Sequence, residues 1–129
     1  MTDRQGALLR KADRALETSR LILDDGDAEG AVSRAYYACF YVAQAALLRH
    51  GESPRTHRGV HHRFRELVVP GLVPADLGHT LPYAAGVRER ADYEALSVTD
   101  ESAAADLLAD AERFVTVVRE LVAESEEEG

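Results

Sequence analysis

The side chains best suited to chemistry gather in two short stretches. PRTHRGVHHRFRE, residues 54 to 66, sets Arg55, Arg58, Arg63 and Arg65 beside His57, His61 and His62, with Glu66 as the one acid among them. In a chain of formal charge -8 this is the concentrated positive patch. Guanidinium groups next to the free N–H groups of a helix start can hold a phosphate. His57 and His61 stand four residues apart, one above the other on a helix. Such a pair can chelate zinc, but neither a cysteine nor an obvious third ligand accompanies it, and no metal site is expected. The second stretch, VRERADYEAL at 87 to 96, places Arg88 one helical turn before Asp92. Exposed, that pair is a salt bridge worth a few tenths of a kcal/mol, about 0.3. Partly buried, it holds the guanidinium in place against Tyr93 or a phosphate.

A third stretch, SRAYYACFYVAQAALLRHG at 33 to 51, puts Tyr36, Tyr37, Phe40 and Tyr41 close behind Arg34. On a helix Tyr36, Cys39 and Ala43 share one face, and Tyr37, Phe40, Tyr41 and Gln44 turn toward the next. An apolar surface that wraps so much of the cylinder suits a central bundle helix or one in a dimer interface. Packing is therefore the first role of these rings, with tyrosine hydroxyls reaching polar partners at the edge. Arg34 and those hydroxyls are left to line a cleft.

The elements that must position these groups are helices. Alanine is abundant, glutamate and arginine are frequent, and there are four prolines, a balance that favours helix over sheet. A first helix from about residue 4 to 23 carries Leu8, Ala12, Ala15, Leu16, Ser19 and Leu23 on one stripe. DDGD at 24 to 27 ends it. A second, roughly 28 to 49, carries the aromatics, with Gly51 as its stop and Pro54 as a break. A third, about 56 to 69, repeats Val60, Phe64 and Leu67/Val68. Residues 72 to 82, bounded by Pro74 and Pro82, fit either a short helix or a turn-rich connection. A helical pattern resumes from about 81 to 96. A last long helix from residue 99 or 100 carries Ala104, Leu107, Leu108, Ala111, Phe114, Val115, Val118, Leu121 and Val122. The acidic end, 124 to 129, reads as a disordered tail. The 129 residues fit one domain, and no internal repeat is evident.

Several function classes lack support. The net charge argues against broad adsorption to duplex DNA or anionic lipid, though not against a local basic site. Glycine-rich phosphate loops, the Walker lysine pattern, H-E-x-x-H and G-x-S-x-G do not occur. Cys39 is the only cysteine, so an intrachain disulfide is impossible and a reducing compartment is the natural reading. With neither a signal-peptide core nor an apolar run of about 20 residues, a cytoplasmic protein without membrane contact is expected.

SRAYYACFYVAQAALLRHG, RTHRGVHHRFRELVVPG and VRERADY together resemble the small prokaryotic HEPN-domain proteins, in the compact branch carrying SRAYYA, THxGV and RxxADY. The likeness runs from the first helix to AERFVTVVREL in the last. It implies an all-α, up-and-down bundle of four to five helices, a homodimer, and a cleft where paired helices meet. Many HEPN proteins are metal-independent ribonucleases, and many pair with a minimal nucleotidyltransferase that silences them by attaching nucleotides to a tyrosine. The family's ribonuclease motif is arginine, a polar residue, three or four others, then histidine. Arg88 matches the arginine and Glu89 the polar position, while Tyr93 stands where histidine is expected. A 2′-hydroxyl proton needs an acceptor near neutral pH, and imidazole at about 6.5 fits better than phenol at about 10.

Three readings follow. The first is a non-catalytic nucleotide- or partner-binding module, paired with a minimal nucleotidyltransferase in a toxin–antitoxin-like system, with Arg34, Arg55, Arg58 and Arg88 on a nucleotide or RNA phosphate and Asp92 orienting an arginine. The second is a metal-independent ribonuclease toxin using Arg88, with His57 or His61 in place of the missing base and Tyr93 beside them. The third is a scaffold bundle with no ligand. No cofactor is expected in any of them.

Overall fold

The computed structural model describes residues 2 to 93 and 99 to 128, with side chains through residue 123. Among these residues the fold is all-α, a bundle of five helices with no strand: α1 (Asp3–Asp24), α2 (Ala28–Arg49), α3 (His57–Val68), α4 (Thr80–Tyr93) and α5 (Glu101–Glu128), with a 3-10 turn at Ala75–His79. None of these helices is long and apolar enough to cross a membrane.

Helix boundaries follow local chemistry. Thr2 and Gln5 form a capping box at the start of α1, and Asp27, Thr56 and Asp100 each accept a backbone N–H three residues on to open α2, α3 and α5. Gly51 ends α2 at φ +76°, a conformation costly for side chains with a Cβ. It lets the N–H groups of Gly51 and Glu52 reach the carbonyls of Leu48 and Leu47. Gly59 serves α3 differently. A Cβ there would lie 3.0 Å from both Pro54 Cβ and the capping Thr56 Oγ1, so glycine permits the tight entry that sets His57 on the first turn.

Helix α2 is the centre of the bundle, in contact with α1, α3, α4 and α5. The aromatic run packs as expected: Val32, Tyr36, Cys39, Phe40, Ala43 and Ala46 are buried, and Tyr37 and Tyr41 are half-buried. The faces expected of α3 and α5 are also inward, and Phe64 meets Phe114 with ring centroids 5.4 Å apart. The stripe on α1 differs at two positions: Leu9 rather than Leu8 is fully buried, with Gln5 heading the inward row, and Leu23 is half-buried. Ser19 in that row donates from Oγ to the Ala31 carbonyl at 2.7 Å, fastening α1 to α2. The undecided segment 72 to 82 resolves into the 3-10 turn, with Leu77 buried, and the first turn of α4. Of the expected helix through residue 96, residues 94 to 96 lie outside the described ones, as do the side chains of the expected acidic tail, 124 to 129.

Candidate active site

Helices α2, α3 and α4 meet around a cavity of about 460 Å³ lined by Tyr36, His57, Arg58, His61, Ala85, Arg88, Glu89 and Tyr93. Helix α2 contributes an aromatic hydroxyl, α3 two imidazoles and a guanidinium, and α4 a second guanidinium with the Glu89 carboxylate and the Tyr93 phenol.

The α3 contribution comes from its amphipathic pattern. Val60, Phe64 and Leu67 anchor the helix in the core, and the i,i+4 spacing of His57 and His61 turns both rings toward α2. There the Tyr36 hydroxyl lies 2.8 Å from His57 Nδ1 and 3.1 Å from His61 Nε2. The His57 ring also stacks on Phe40, with centroids 4.1 Å apart and planes 16° from parallel. Burial pushes the Tyr36 phenol up to about 12, with Arg88 opposing part of that rise. Both histidines are held below the usual imidazole value, chiefly by burial, helped by the Arg88 charge for His57 and by His57 for His61. These shifts favour neutral rings and a protonated phenol near neutral pH.

Arg88 reaches the cavity from α4 with its side chain 27% exposed. Its guanidinium carbon lies 5.3 Å and 5.0 Å from the ring centroids of Tyr36 and Tyr37, within cation–π range. The expected pair with Asp92 is present, with Nε 3.4 Å from a carboxylate oxygen. That contact is one of charge rather than a directed hydrogen bond, for Nε is buried and its N–H is not aligned with any acceptor. Arg88 is therefore neither a free surface cation nor a fully paired one. Tyr93, one turn beyond Glu89, stands at the rim with 77% of its surface exposed.

The sequence-derived candidates divide by position. Arg88, His57, His61, Arg58 and Tyr93 line the cavity together, and Asp92 stands behind Arg88. Arg34 lies on the Tyr37 ring, 4.9 Å from its centroid, and not among the lining residues. Arg55 lies on the exposed approach to α3 and lines neither this cavity nor its neighbour. Tyr36 belongs to the core by its spacing. It is 1% exposed and packs as expected, yet its hydroxyl joins both histidines. Spacing carried no sign of that link. Among the described residues no cluster of three or more histidine, cysteine or carboxylate groups could hold a metal ion.

A second cavity of about 480 Å³ adjoins the first and shares Arg58 and His61 with it. Arg65, His62 and His79 line it over an apolar floor that includes Leu81, and no carboxylate is among its lining residues.

Comparison with known proteins agrees with this architecture. The model of the HEPN domain matches residues 6–121. A UPF0332 protein of Gloeobacter violaceus is 32% identical over 126 residues, covering 96% of this chain and 100% of the relative. A UPF0332 protein of Thermotoga maritima is 34% identical over 114 residues, 88% and 86% of the two chains. A protein of Methanocaldococcus jannaschii named "Putative toxin" is 30% identical over 119 residues, 92% and 88% of the two chains. The chain belongs to the HEPN family.

Proposed function

We propose, for this member of the HEPN family, a metal-independent ribonuclease toxin in which Arg88 neutralises the scissile phosphate and a histidine of the 57/61 pair takes the proton of the RNA 2′-hydroxyl. The observation that carries this reading is the meeting of Arg88, His57 and His61 at one cavity. On sequence alone a binding module ranks first, because Tyr93 occupies the place of the family's histidine. A pair of neutral imidazoles beside Arg88 reverses that order, since it supplies the acceptor that Tyr93 lacks. The name carried by the Methanocaldococcus jannaschii relative also favours a toxin.

In this reaction the 2′-oxygen attacks phosphorus as its proton passes to imidazole, and the bond from phosphorus to the 5′-oxygen breaks as that oxygen takes a proton from the histidine pair. The products are a 2′,3′-cyclic phosphate and a 5′-hydroxyl. Charge developing on the phosphate oxygens is met by Arg88 with Arg58 nearby. The neighbouring cavity, rich in cationic and imidazole side chains, is placed to take an adjoining nucleotide.

The partner reading rests on the same surface. Tyr93, exposed at the rim, is accessible to a nucleotidyltransferase, and a nucleotide attached there would cover the cavity mouth. A homodimer is part of the proposal, symmetric pairing being the common assembly of a small helical bundle. A monomeric mass in solution scattering at micromolar concentration would overturn it.

The test is cleavage of total and structured RNA in EDTA by the purified protein beside Arg88→Ala and a His57→Ala/His61→Ala double variant. Cleavage by the parent that both changes abolish supports the reading. Cleavage no greater than that of the variants overturns it and returns the chain to a binding role.

A further inference from the structure

The Tyr36 hydroxyl faces two imidazole nitrogens at once, His57 Nδ1 at 2.8 Å and His61 Nε2 at 3.1 Å. A neutral phenol has one hydrogen to donate. It donates to one ring and accepts from the other, and the ring it accepts from must carry its hydrogen on the nitrogen facing Tyr36. Two arrangements satisfy both contacts when the rings are neutral. In one, Tyr36 donates to His57 Nδ1 while His61 donates from Nε2, and both rings are Nε2–H tautomers. In the other, Tyr36 donates to His61 Nε2 while His57 donates from Nδ1, and both are Nδ1–H tautomers. Because the histidines present opposite nitrogens to the hydroxyl, their tautomers must match. Their outer nitrogens must then differ: one is bare and the other carries a hydrogen.

We propose that Tyr36 couples His57 and His61 into one proton-relay unit that supplies the general base and the general acid of RNA cleavage together. The inference deepens the ribonuclease reading and rests on it. Starting from the Nε2–H pair, His61 Nδ1 takes the 2′-hydroxyl proton as the 2′-oxygen bonds to phosphorus. The Nε2 proton of His61 moves to Tyr36, the Tyr36 proton moves to His57 Nδ1, and His57 Nε2 gives its proton to the departing 5′-oxygen. One proton enters and one leaves. Both rings end neutral as Nδ1–H tautomers, with base and acid exchanged. No imidazolium has to persist beside Arg88, whose charge disfavours one at His57. The hydroxyl acts through the histidines, so Tyr36 is a positioning and relay residue.

Long-range ¹⁵N–¹H correlation spectra of the full chain at neutral pH, followed by cleavage kinetics, test the proposal. In the parent protein His57 and His61 should show the same tautomer. Tyr36→Phe keeps the ring and removes the hydroxyl. It should move the nitrogen signals of both histidines and lower kcat by about tenfold or more, with KM changed by less than about twofold. Opposite tautomers in the parent overturn the coupling, and this spectrum stays decisive if the variant fails to fold. Unchanged histidine signals or an unchanged kcat in a folded Tyr36→Phe variant also overturn it. An inactive parent overturns the ribonuclease reading and the relay's use in cleavage together, whereas mismatched tautomers in an active parent overturn the relay alone.

Discussion

The guanidinium carbon of Arg88 lies 5.3 Å from the centre of the Tyr36 ring, the ring whose hydroxyl holds both His57 and His61. One buried side chain of α2 thus registers the cation of α4 against the imidazoles of α3. Asp92 comes to 3.4 Å of Arg88 Nε on the same helix, and Arg88 itself lines the cavity.

Arg88 should therefore resist conservative replacement. Arg88→Ala is expected to lower RNA cleavage by about 10²- to 10³-fold, the usual cost of losing one donor to a developing negative charge. Arg88→Lys keeps the charge but not the planar fork or its seat on two aromatic faces, and most of the loss should persist. Recovery to parental rates with lysine, measured in EDTA, would mean that charge alone suffices.

The two histidines should behave as one group. His57→Ala and His61→Ala are each expected to cost about 10²- to 10⁴-fold in kcat. Because residues that act as a unit are non-additive, the double variant should be little worse than the poorer single one. Losses that multiply would indicate independent roles.

Acid should weaken the fold through the same rings. Both are held below the ordinary imidazole value, mainly by burial, so between their native values and about 6.5 the unfolded chain binds more protons. The contribution to stability is fully present above about pH 6.5 and is lost as pH falls through the depressed values. Urea midpoints compared at about pH 7.5 and pH 5.5 should fall less in a His57→Gln/His61→Gln variant than in the parent. An equal fall would assign the acid sensitivity to other groups.

The Ser19 bond tests the scaffold apart from the site. Ser19→Ala removes the buried donor to the Ala31 carbonyl and should cost about 1 kcal/mol in urea unfolding. RNA cleavage by the folded variant should stay at the parental level, since Ser19 lines neither of the two adjoining cavities beside α3. A loss of cleavage without loss of stability would link the α1–α2 contact to the site.

Helix formation and facing were legible along the chain because both are local properties. Spacings of three and four marked the inward rows of α2, α3 and α5, and Gly51 marked a stop. Leu8 was an exception. It neighbours Leu9 on the same broad apolar arc, and periodicity cannot choose between adjacent residues when the partner helix is unknown. The Arg88–Asp92 pair was also legible, being one turn apart on one helix. Whether it was buried was not, because burial depends on what α4 packs against.

What the sequence by itself determined is an all-helical chain with a basic, histidine-bearing third helix, an aromatic second helix and an arginine on the fourth. Tertiary structure alone decided which of those groups meet. The bonds from Tyr36 to His57 and His61 span 21 and 25 residues, and their existence depends on how α3 crosses α2. That crossing is set by the tight entry at Gly59 and by the anchoring of Val60 and Phe64 in the core. The same packing brings Arg58 and Arg88 to one cavity, leaves Arg34 on Tyr37 and Arg55 outside it. Periodicity reports which face of a helix is buried, but a hydrogen bond between helices needs the distance and angle that only packing of the whole bundle supplies.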